Sequence, residues 1–358
     1  VGRCPSARLA RYSMLWLGCW GVPATKRWLP SLSAFHAFTG LVFGMGPIVH
    51  CRPGGHTVSL DPDEVVSWYR SAKRDLPWRA PEVSPWQILV SEFMLQQTPA
   101  ARVAPIWSTW ISRWPTPSST AAAGPAEILR AWGKLGYPRR AKRLHECATV
   151  IATEHHDIVP DDVEILLSLP GVGAYTARAI ACFAYGKRVP VVDTNVRRVV
   201  ARAVHGRADS GAPSTVRDHA DVAALLPDNS SAPMFSAGLM ELGATVCTAR
   251  APKCAVCPLS SCVWRSAGHP PSTDPPRRAQ RYAGTDRQVR GRLLDVLRGS
   301  STPVDRARLD LVWPADVAQR DRALDSLLID GLVEQTPDGL FALCGEGSCA
   351  PRADVEAP

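Results

Sequence analysis

The first sixty residues contain no aspartate or glutamate, and that absence divides the chain. They hold six basic residues (Arg3, Arg8, Arg11, Lys26, Arg27 and Arg52), so only +2 of the net charge of +8 belongs to everything after them. The total suits a polyanionic partner, but a mildly basic body confines any nucleic-acid footprint to local patches. Also missing is a clean apolar run of the ~20 residues that a membrane span requires. The stretch from Ala34 to Val49 is broken by His36, Gly40, Gly44, Gly46 and Pro47. No secretory cleavage pattern is evident and the cysteine count, 11, is odd, so a disulfide framework is disfavoured. The missing acids would suit a transit peptide. The lack of any helical apolar period, with much Trp, Gly, Pro and Ser, favours an upstream extension outside the fold, with a start near Met45. Residues 1–57 are therefore set apart from the fold.

Convincing strands are absent between residues 62 and 245, and the apolar spacing there is helical. Val65, Val66, Trp68 and Tyr69 open an amphipathic run that Asp75-Leu76-Pro77-Trp78-Arg79 ends, since proline cannot continue a helix interior. Pro85 to Met94 forms a second helix with Trp86, Leu89, Val90 and Phe93 on its apolar stripe. Further helices are expected near 100–113, 125–131, 138–155, 161–168, 174–185, 194–204, 215–226 and 233–244. At 358 residues the chain has room for two or three domains.

Two local patterns carry chemistry. Cys247, Cys254, Cys257 and Cys262 read C-x6-C-x2-C-x4-C. Four thiolates at this spacing can hold one soft metal centre, either tetrahedral zinc or an iron–sulfur cluster. Upstream, Leu169-Pro170-Gly171-Val172-Gly173 joins two helices. Its glycines allow successive N–H groups to point outward at the start of the next helix, which makes an anion site; a DNA phosphate would be bound without regard to sequence. An ordinary tight turn is the alternative reading.

Two carboxylates stand out. Asp193, in Val192-Asp193-Thr194-Asn195, sits where a helix begins and reads as an N-cap. The same backbone bonds are expected to keep it ionised and fixed in direction. Glu92 falls among Phe93, Met94 and Leu95. Periodicity alone favours an exposed face for it, whereas burial among those groups would raise its pKa and make it a general acid near neutral pH. One protonated and one ionised carboxylate form the usual kit for breaking a glycosidic bond.

From about residue 62 to 265 the chain resembles the helix-hairpin-helix DNA glycosylases, most closely the adenine DNA glycosylases of the MutY type. The pieces that carry the likeness are Leu76-Pro77-Trp78-Arg79, Ser91-Glu92-Phe93-Met94-Leu95-Gln96-Gln97-Thr98, Leu169 to Ala177, Val192 to Arg198 and the cysteine run, all in family order. The resemblance implies an all-α, two-lobed fold with an iron–sulfur cluster loop. It implies that Glu92 protonates N7 of an extruded adenine and that Asp193 stabilises the oxocarbenium-like sugar. Tyr175 and Asn195 would support that intermediate and position Glu92 and the attacking water. Arg74, Leu76, Trp78 and Arg79 would wall the adenine pocket. Gln96, Gln97 and Thr98 would probe the helix opposite the extruded base, with Gln97 entering the stack, and Gly171, Val172 and Gly173 would hold a phosphate. The four cysteines would ligate a [4Fe–4S] cluster, with Arg250 and Lys253 near the DNA. Endonuclease III-like relatives carry a lysine at position 175 that forms a Schiff base; Tyr175 cannot, so a monofunctional enzyme is expected.

The implied partner is double-stranded DNA with adenine opposite 8-oxoguanine or guanine, and the implied setting is cytoplasmic and nucleoid-associated, with a monomer as the default. An endonuclease III-like or thymine mismatch glycosylase, and secondly a non-catalytic iron–sulfur DNA-binding protein, are the rival readings. Intact Glu92 and Asp193 argue against the second. One departure is the last cysteine gap of four residues, where the family more often has five.

The expected organisation is a glycosylase domain over 58–245, a cluster loop over 246–265, a linker over 266–282, a small module over 283–344 and a tail over 345–358. Pro270 to Arg278 is Pro-rich and basic. After it, 288–297, 306–311 and 321–329 read as helices, followed by a hairpin around Pro337-Asp338. Three helices and a hairpin suggest a winged-helix-like module, which would contact duplex DNA or simply pack. This is not the larger α/β domain that many family members use to read 8-oxoguanine.

Overall fold

The computed structural model describes residues 60–272 and 282–347. The expected extension over 1–57, the linker residues 273–281 and the tail beyond 347 lie outside the described residues.

Proline punctuates the chain. Of the 32 prolines, Pro62, Pro85, Pro117 and Pro125 each open a helix, where the missing N–H costs nothing. Helix α1 (Pro62–Ala72) is capped by Asp61, and a 3₁₀ turn, Pro77–Arg79, follows it. Helix α2 (Pro85–Leu95) starts in a Ser84–Gln87 capping box. Then come α3 (Ala100–Arg113), α4 (Pro117–Ala122), α5 (Pro125–Trp132), α6 (Arg139–Glu154), α7 (Val163–Ser168), α8 (Ala174–Phe183), α9 (Thr194–Ala203), α10 (Thr215–Ala223) and α11 (Ala232–Thr245). After a short α12 (Val263–Ser266) the chain builds α13 (Asp286–Arg298), α14 (Arg306–Asp310) and α15 (Val317–Ile329). An antiparallel pair, β1 (Val333–Gln335) and β2 (Phe341–Leu343), follows in the register Val333↔Leu343. Helices α4 and α12 are short and escape periodicity. Helix α15 begins four residues earlier than expected because Asp316 caps it through the N–H of Gln319.

Among the described residues two large cores result, with a small third cluster of Ala179, Cys182 and Val191. One joins α2, α3, α5, α6 and the apolar faces of α13 and α15 around Trp86, Trp107, Trp110, Trp114 and Trp132. The other gathers α1, α9, α10 and α11 around Phe235, with Cys247, Cys257 and Cys262 packed at its edge. Helix α2 therefore carries Glu92 in one core, and the N-terminus of α9 presents Asp193 from the other.

The C-terminal helices dock on the first core through side chains that reach backbone. Arg130 Nη2 donates to the carbonyl of Ser300 (2.6 Å), Arg298 Nε donates to that of Leu129 (3.0 Å), and Arg139 and Arg290 both pair with Asp330.

Candidate active site

Glu92 is buried, 6% exposed, despite its charge. Its position on α2 follows from the stripe of Leu89, Val90 and Phe93 packing inward: the helix is apolar nearly all round, so no face is left for the carboxylate to escape by. Burial pushes its pKa up to about 7. A hydrogen bond from Tyr175 and the nearby Arg79 guanidinium pull it down, while the Asp193 charge pushes it further up. The exposed face that periodicity favoured is not the one it takes. Tyr175, in the first turn of α8, is itself driven well above the ordinary phenol range, first by burial and then by the charges of Glu92 and Asp193.

Asp193 is the N-cap of α9. The N–H of Val196 donates to Oδ1 (2.7 Å) and Asn195 Nδ2 donates to Oδ2 (2.7 Å). These bonds favour the ionised form, but burial outweighs them and its pKa is raised, a correction to the expectation from capping alone. The pair is electrostatically coupled, with each carboxylate disfavouring ionisation of the other. Asn195 is in turn held by Arg198, whose Nη2 donates to Asn195 Oδ1 (2.8 Å) and to the Gly243 carbonyl (2.6 Å) while Nε donates to the Cys247 carbonyl (2.7 Å). Helix α11 comes so close here that a Cβ on Gly243 would lie 2.7 Å from that of Asn195.

The expected pocket wall divides. Arg74 and Arg79 converge on Glu241, which is fully buried on α11: Arg74 Nε donates to Oε1 (2.6 Å) and Arg79 Nη2 to Oε2 (2.8 Å). Burial would raise the Glu241 carboxyl, but the two guanidiniums hold it below its ordinary range. Trp78 sits edge-on to Trp107 with ring centroids 6.0 Å apart, in the core, and Leu76 packs partly buried against the same core.

Gln96, Gln97 and Thr98 form the turn after α2, with Gln97 exposed at φ 56°. A non-glycine residue at positive φ is strained, and such strain tends to mark a site. Thr98 is buried and its hydroxyl donates to the Leu135 carbonyl (3.3 Å). At the hairpin, Gly171 has φ +77°, and a Cβ there would lie 2.7 Å from Arg143 Cβ and 2.9 Å from Phe93 Cε1. Glycine is thus required twice over, by conformation and by packing on the helix that carries Glu92. Val172 is buried. Gly173 is exposed with open space where a Cβ would stand, as close approach of a ligand to the backbone requires.

Cys247, Cys254, Cys257 and Cys262 are free thiols lining one cavity with Arg202 and Trp264. Among the described residues no three or more His, Cys, Asp or Glu side chains are spaced for a single ion. Four uncrosslinked thiols around a shared cavity are a donor set that fits a cluster larger than one ion. Arg202, 4% exposed, braces the loop: its Nη1 reaches Cys247 Sγ (3.5 Å) and the Thr248 carbonyl (2.8 Å), and its guanidinium lies 4.7 Å from the Trp264 ring centroid. Arg250 and Lys253 are exposed on this loop. The cavity does not reach the carboxylates.

Several residues of the site were not legible from motifs: Glu241, Arg202, Arg140 and Tyr137. A signal existed for the first, since Glu241 interrupts an apolar run as Glu92 does. Tyr137 gave none: it is 41% exposed, at φ 49°, with the guanidiniums of Arg140 and Arg287 at 5.5 and 5.4 Å from its ring centroid.

Comparison with known proteins accords with this geometry. The family described as HhH-GPD superfamily base excision DNA repair protein matches residues 90–220. The chain is 73% identical over 283 residues to the adenine DNA glycosylase of Mycobacterium tuberculosis (strain ATCC 25618 / H37Rv), covering 79% of this chain and 93% of that protein. It is 74% identical over 290 residues to that of Mycolicibacterium smegmatis, covering 81% and 98%. Among solved structures, a thermostable thymine-DNA glycosylase superposes with a TM-score of 0.53 at 29% identity, over 57% of this chain and 95% of that one.

Proposed function

The chain belongs to the adenine DNA glycosylase family of the helix-hairpin-helix base excision repair superfamily, and from that premise we propose how its residues divide the work. It is a DNA N-glycosylase. The observation that carries the assignment of roles is Glu92: a buried carboxyl lifted to about 7, bonded by Tyr175 and facing Asp193. A group with that proton affinity is half-protonated at neutral pH, where a general acid works best.

Glu92 gives its proton to N7 of the extruded adenine. The N9–C1′ bond then breaks with its electron pair going to the base, which leaves neutral. Positive charge develops at C1′, and the fixed carboxylate of Asp193 stabilises it. Water adds its oxygen to C1′ and returns a proton to Glu92, leaving free adenine and an abasic site. Tyr175 and Asn195 orient the two carboxylates. Arg74 and Arg79, locked by Glu241, form a rigid wall, with Leu76 and Trp78 behind them. Gln97, from its strained turn, fills the gap in the stack, which offsets the few kcal/mol that extrusion costs. Gly171 to Gly173 grip a backbone phosphate at the start of α8. No lysine stands at position 175, so the enzyme is monofunctional.

The substrate is adenine opposite 8-oxoguanine or guanine in duplex DNA. Cys247, Cys254, Cys257 and Cys262 would hold a [4Fe–4S] cluster, which when bound would tie together the two ends and the middle of the 247–262 loop; an absorption band near 400 nm, against zinc content, distinguishes the metals. The helices and hairpin over 283–344 would form a winged-helix-like module that packs on the catalytic domain.

The test is single-turnover adenine release from A:8-oxoguanine, A:G and G:T duplexes with wild type, Glu92→Gln and Asp193→Asn. Adenine release lost in both variants supports the assignment; thymine release from G:T alone would overturn it. Borohydride trapping should give no efficient adduct through Tyr175.

A further inference from the structure

Arg140, in the first turn of α6, is an expensive residue. It is 9% exposed and, among the described residues, its guanidinium has no carboxylate partner and its Nε no hydrogen-bond acceptor. Burial lowers its pKa to about 10. A buried cation without an anion is costly unless hydrogen bonds compensate it fully. Here they come from three separate pieces of chain. Nη1 donates to the carbonyls of Phe93 (2.8 Å) and Met94 (3.0 Å), which are orphaned at the end of α2. Nη2 donates to Thr98 Oγ1 (3.0 Å), in the turn that carries Gln97. Nη2 also donates to the carbonyls of Gly136 (3.1 Å) and Leu135 (3.4 Å), in the turn that carries Tyr137. The guanidinium lies over Trp132, 5.1 Å from its ring centroid.

Capping α2 alone would need one or two of these bonds, and a lysine could supply them. The planar fork does more: it fastens two turns that each hold a non-glycine residue at positive φ, Gln97 and Tyr137, to the helix bearing Glu92. We propose that Arg140 is a positioning residue for base extrusion, joining the Gln97 turn, the Tyr137 turn and the end of α2 into one rigid unit so that filling the stack and presenting Glu92 occur together. This rests on the adenine glycosylase reading and names a residue through which its two halves act as one. Without the fork, Gln97 can relax out of its strained conformation, and the extruded state loses the side chain that replaces the missing base.

The experiment uses full-length protein and two duplexes. One carries the target adenine opposite 8-oxoguanine; in the other an abasic site stands opposite, so that extrusion is cheap. Single-turnover release is measured alongside the fluorescence of 2-aminopurine placed at the target position, which rises on unstacking. Arg140→Lys keeps the charge but loses the fork and should lower both release and fluorescence by about tenfold or more on the paired duplex, with release largely restored opposite the abasic site. Thr98→Val, which removes the acceptor of one Arg140 bond together with the hydroxyl's own bonds to the Gln96 and Leu135 carbonyls but leaves the fork in place, should show a smaller loss with the same restoration. Leu144→Ala empties a core position on α6 while keeping every hydrogen bond of the fork, and controls for lost stability; it should show no difference between the duplexes. Equal losses on both duplexes in Arg140→Lys, or release equal to wild type, would overturn the proposal. Should wild type itself release no adenine, the reading of the enzyme fails instead.

Discussion

The two cores hold their carboxylates by opposite means. The core around α2 and α6 is filled by tryptophan and shuts Glu92 in by apolar mass. The core around α9 and α11 is built mainly of aliphatic residues around Phe235, is finished at its edge by cysteines, and holds Asp193 by hydrogen bonds and a helix N-terminus. A dry wall raises a carboxyl far, and a polar frame limits the rise. Packing on one side and directed bonds on the other give the two carboxyls unlike surroundings, with burial the leading influence on both and hydrogen bonds opposing it most at Asp193.

Removing either carboxylate breaks the contrast most severely. Glu92→Gln and Asp193→Asn should each lower single-turnover adenine release by about 10²–10⁴-fold, the range for a positioned acid or base, while duplex affinity persists. Wild-type release should fall about tenfold per pH unit above a midpoint near 7, as Glu92 loses its proton, and should also fall at low pH as Asp193 gains one.

Next in size is the cysteine edge. Cys257→Ser should destabilise the second core far more than the first, since that core is small and a bound cluster would complete it. Hydrogen exchange checks this: protection should drop across α9 and α11 while α2 and α6 keep theirs. Uniform loss would mean the two cores are not independent.

The buried acid carries a stability cost, which hydrogen bonds to the carboxylate work against at Asp193. Because Glu92 binds its proton more tightly folded than unfolded, stability falls as pH rises from the ordinary glutamate range through about 7 and stays low above it. Glu92→Gln should therefore be more stable than wild type at pH 8, by up to roughly 3 kcal/mol, with that advantage gone near pH 4. Urea midpoints at the two pH values decide it.

Much of this was legible. The helices of the catalytic region, the two carboxylates and the cysteines were all visible from period, capping and spacing. The burial of Glu92 was not, because a helix with apolar residues on nearly every side has no stripe to read. Arg140 and Arg202, and the contacts of Arg198, were hidden for a different reason. Each works by donating to carbonyls distant in sequence, and backbone acceptors leave no mark on the residues that own them. Glycines show the same limit. Gly171 was read as a conformational need, but its contact with Phe93, like that of Gly243 with Asn195, comes only from packing. Gly243→Ala should cost about 1–3 kcal/mol by overpacking and shift Asn195, lowering release as well as stability. Gly171→Ala adds the strain of positive φ. Thermal midpoints alongside turnover separate the two effects.

The smallest effect should come from the outward face of α15, the helix that would enter a groove if the C-terminal module bound DNA as winged helices do. Arg306 pairs with Asp310 and Asp321, Arg320 with the same two acids, and Arg322 approaches Asp286 at 3.6 Å. Asp325 is exposed on the same helix. A phosphate would have to displace these acids, and the local field does not favour it. Arg320 is buried, but an exposed pair such as Arg322–Asp286 contributes about 0–1 kcal/mol to stability. Arg322→Ala should therefore leave both the thermal midpoint and the salt dependence of duplex binding unchanged. Losing one phosphate contact would reduce the slope of log K against log salt by about 0.9. A reduction of that size would assign α15 to the DNA, whereas an unchanged slope leaves the module's role in its docking on α5 and α6.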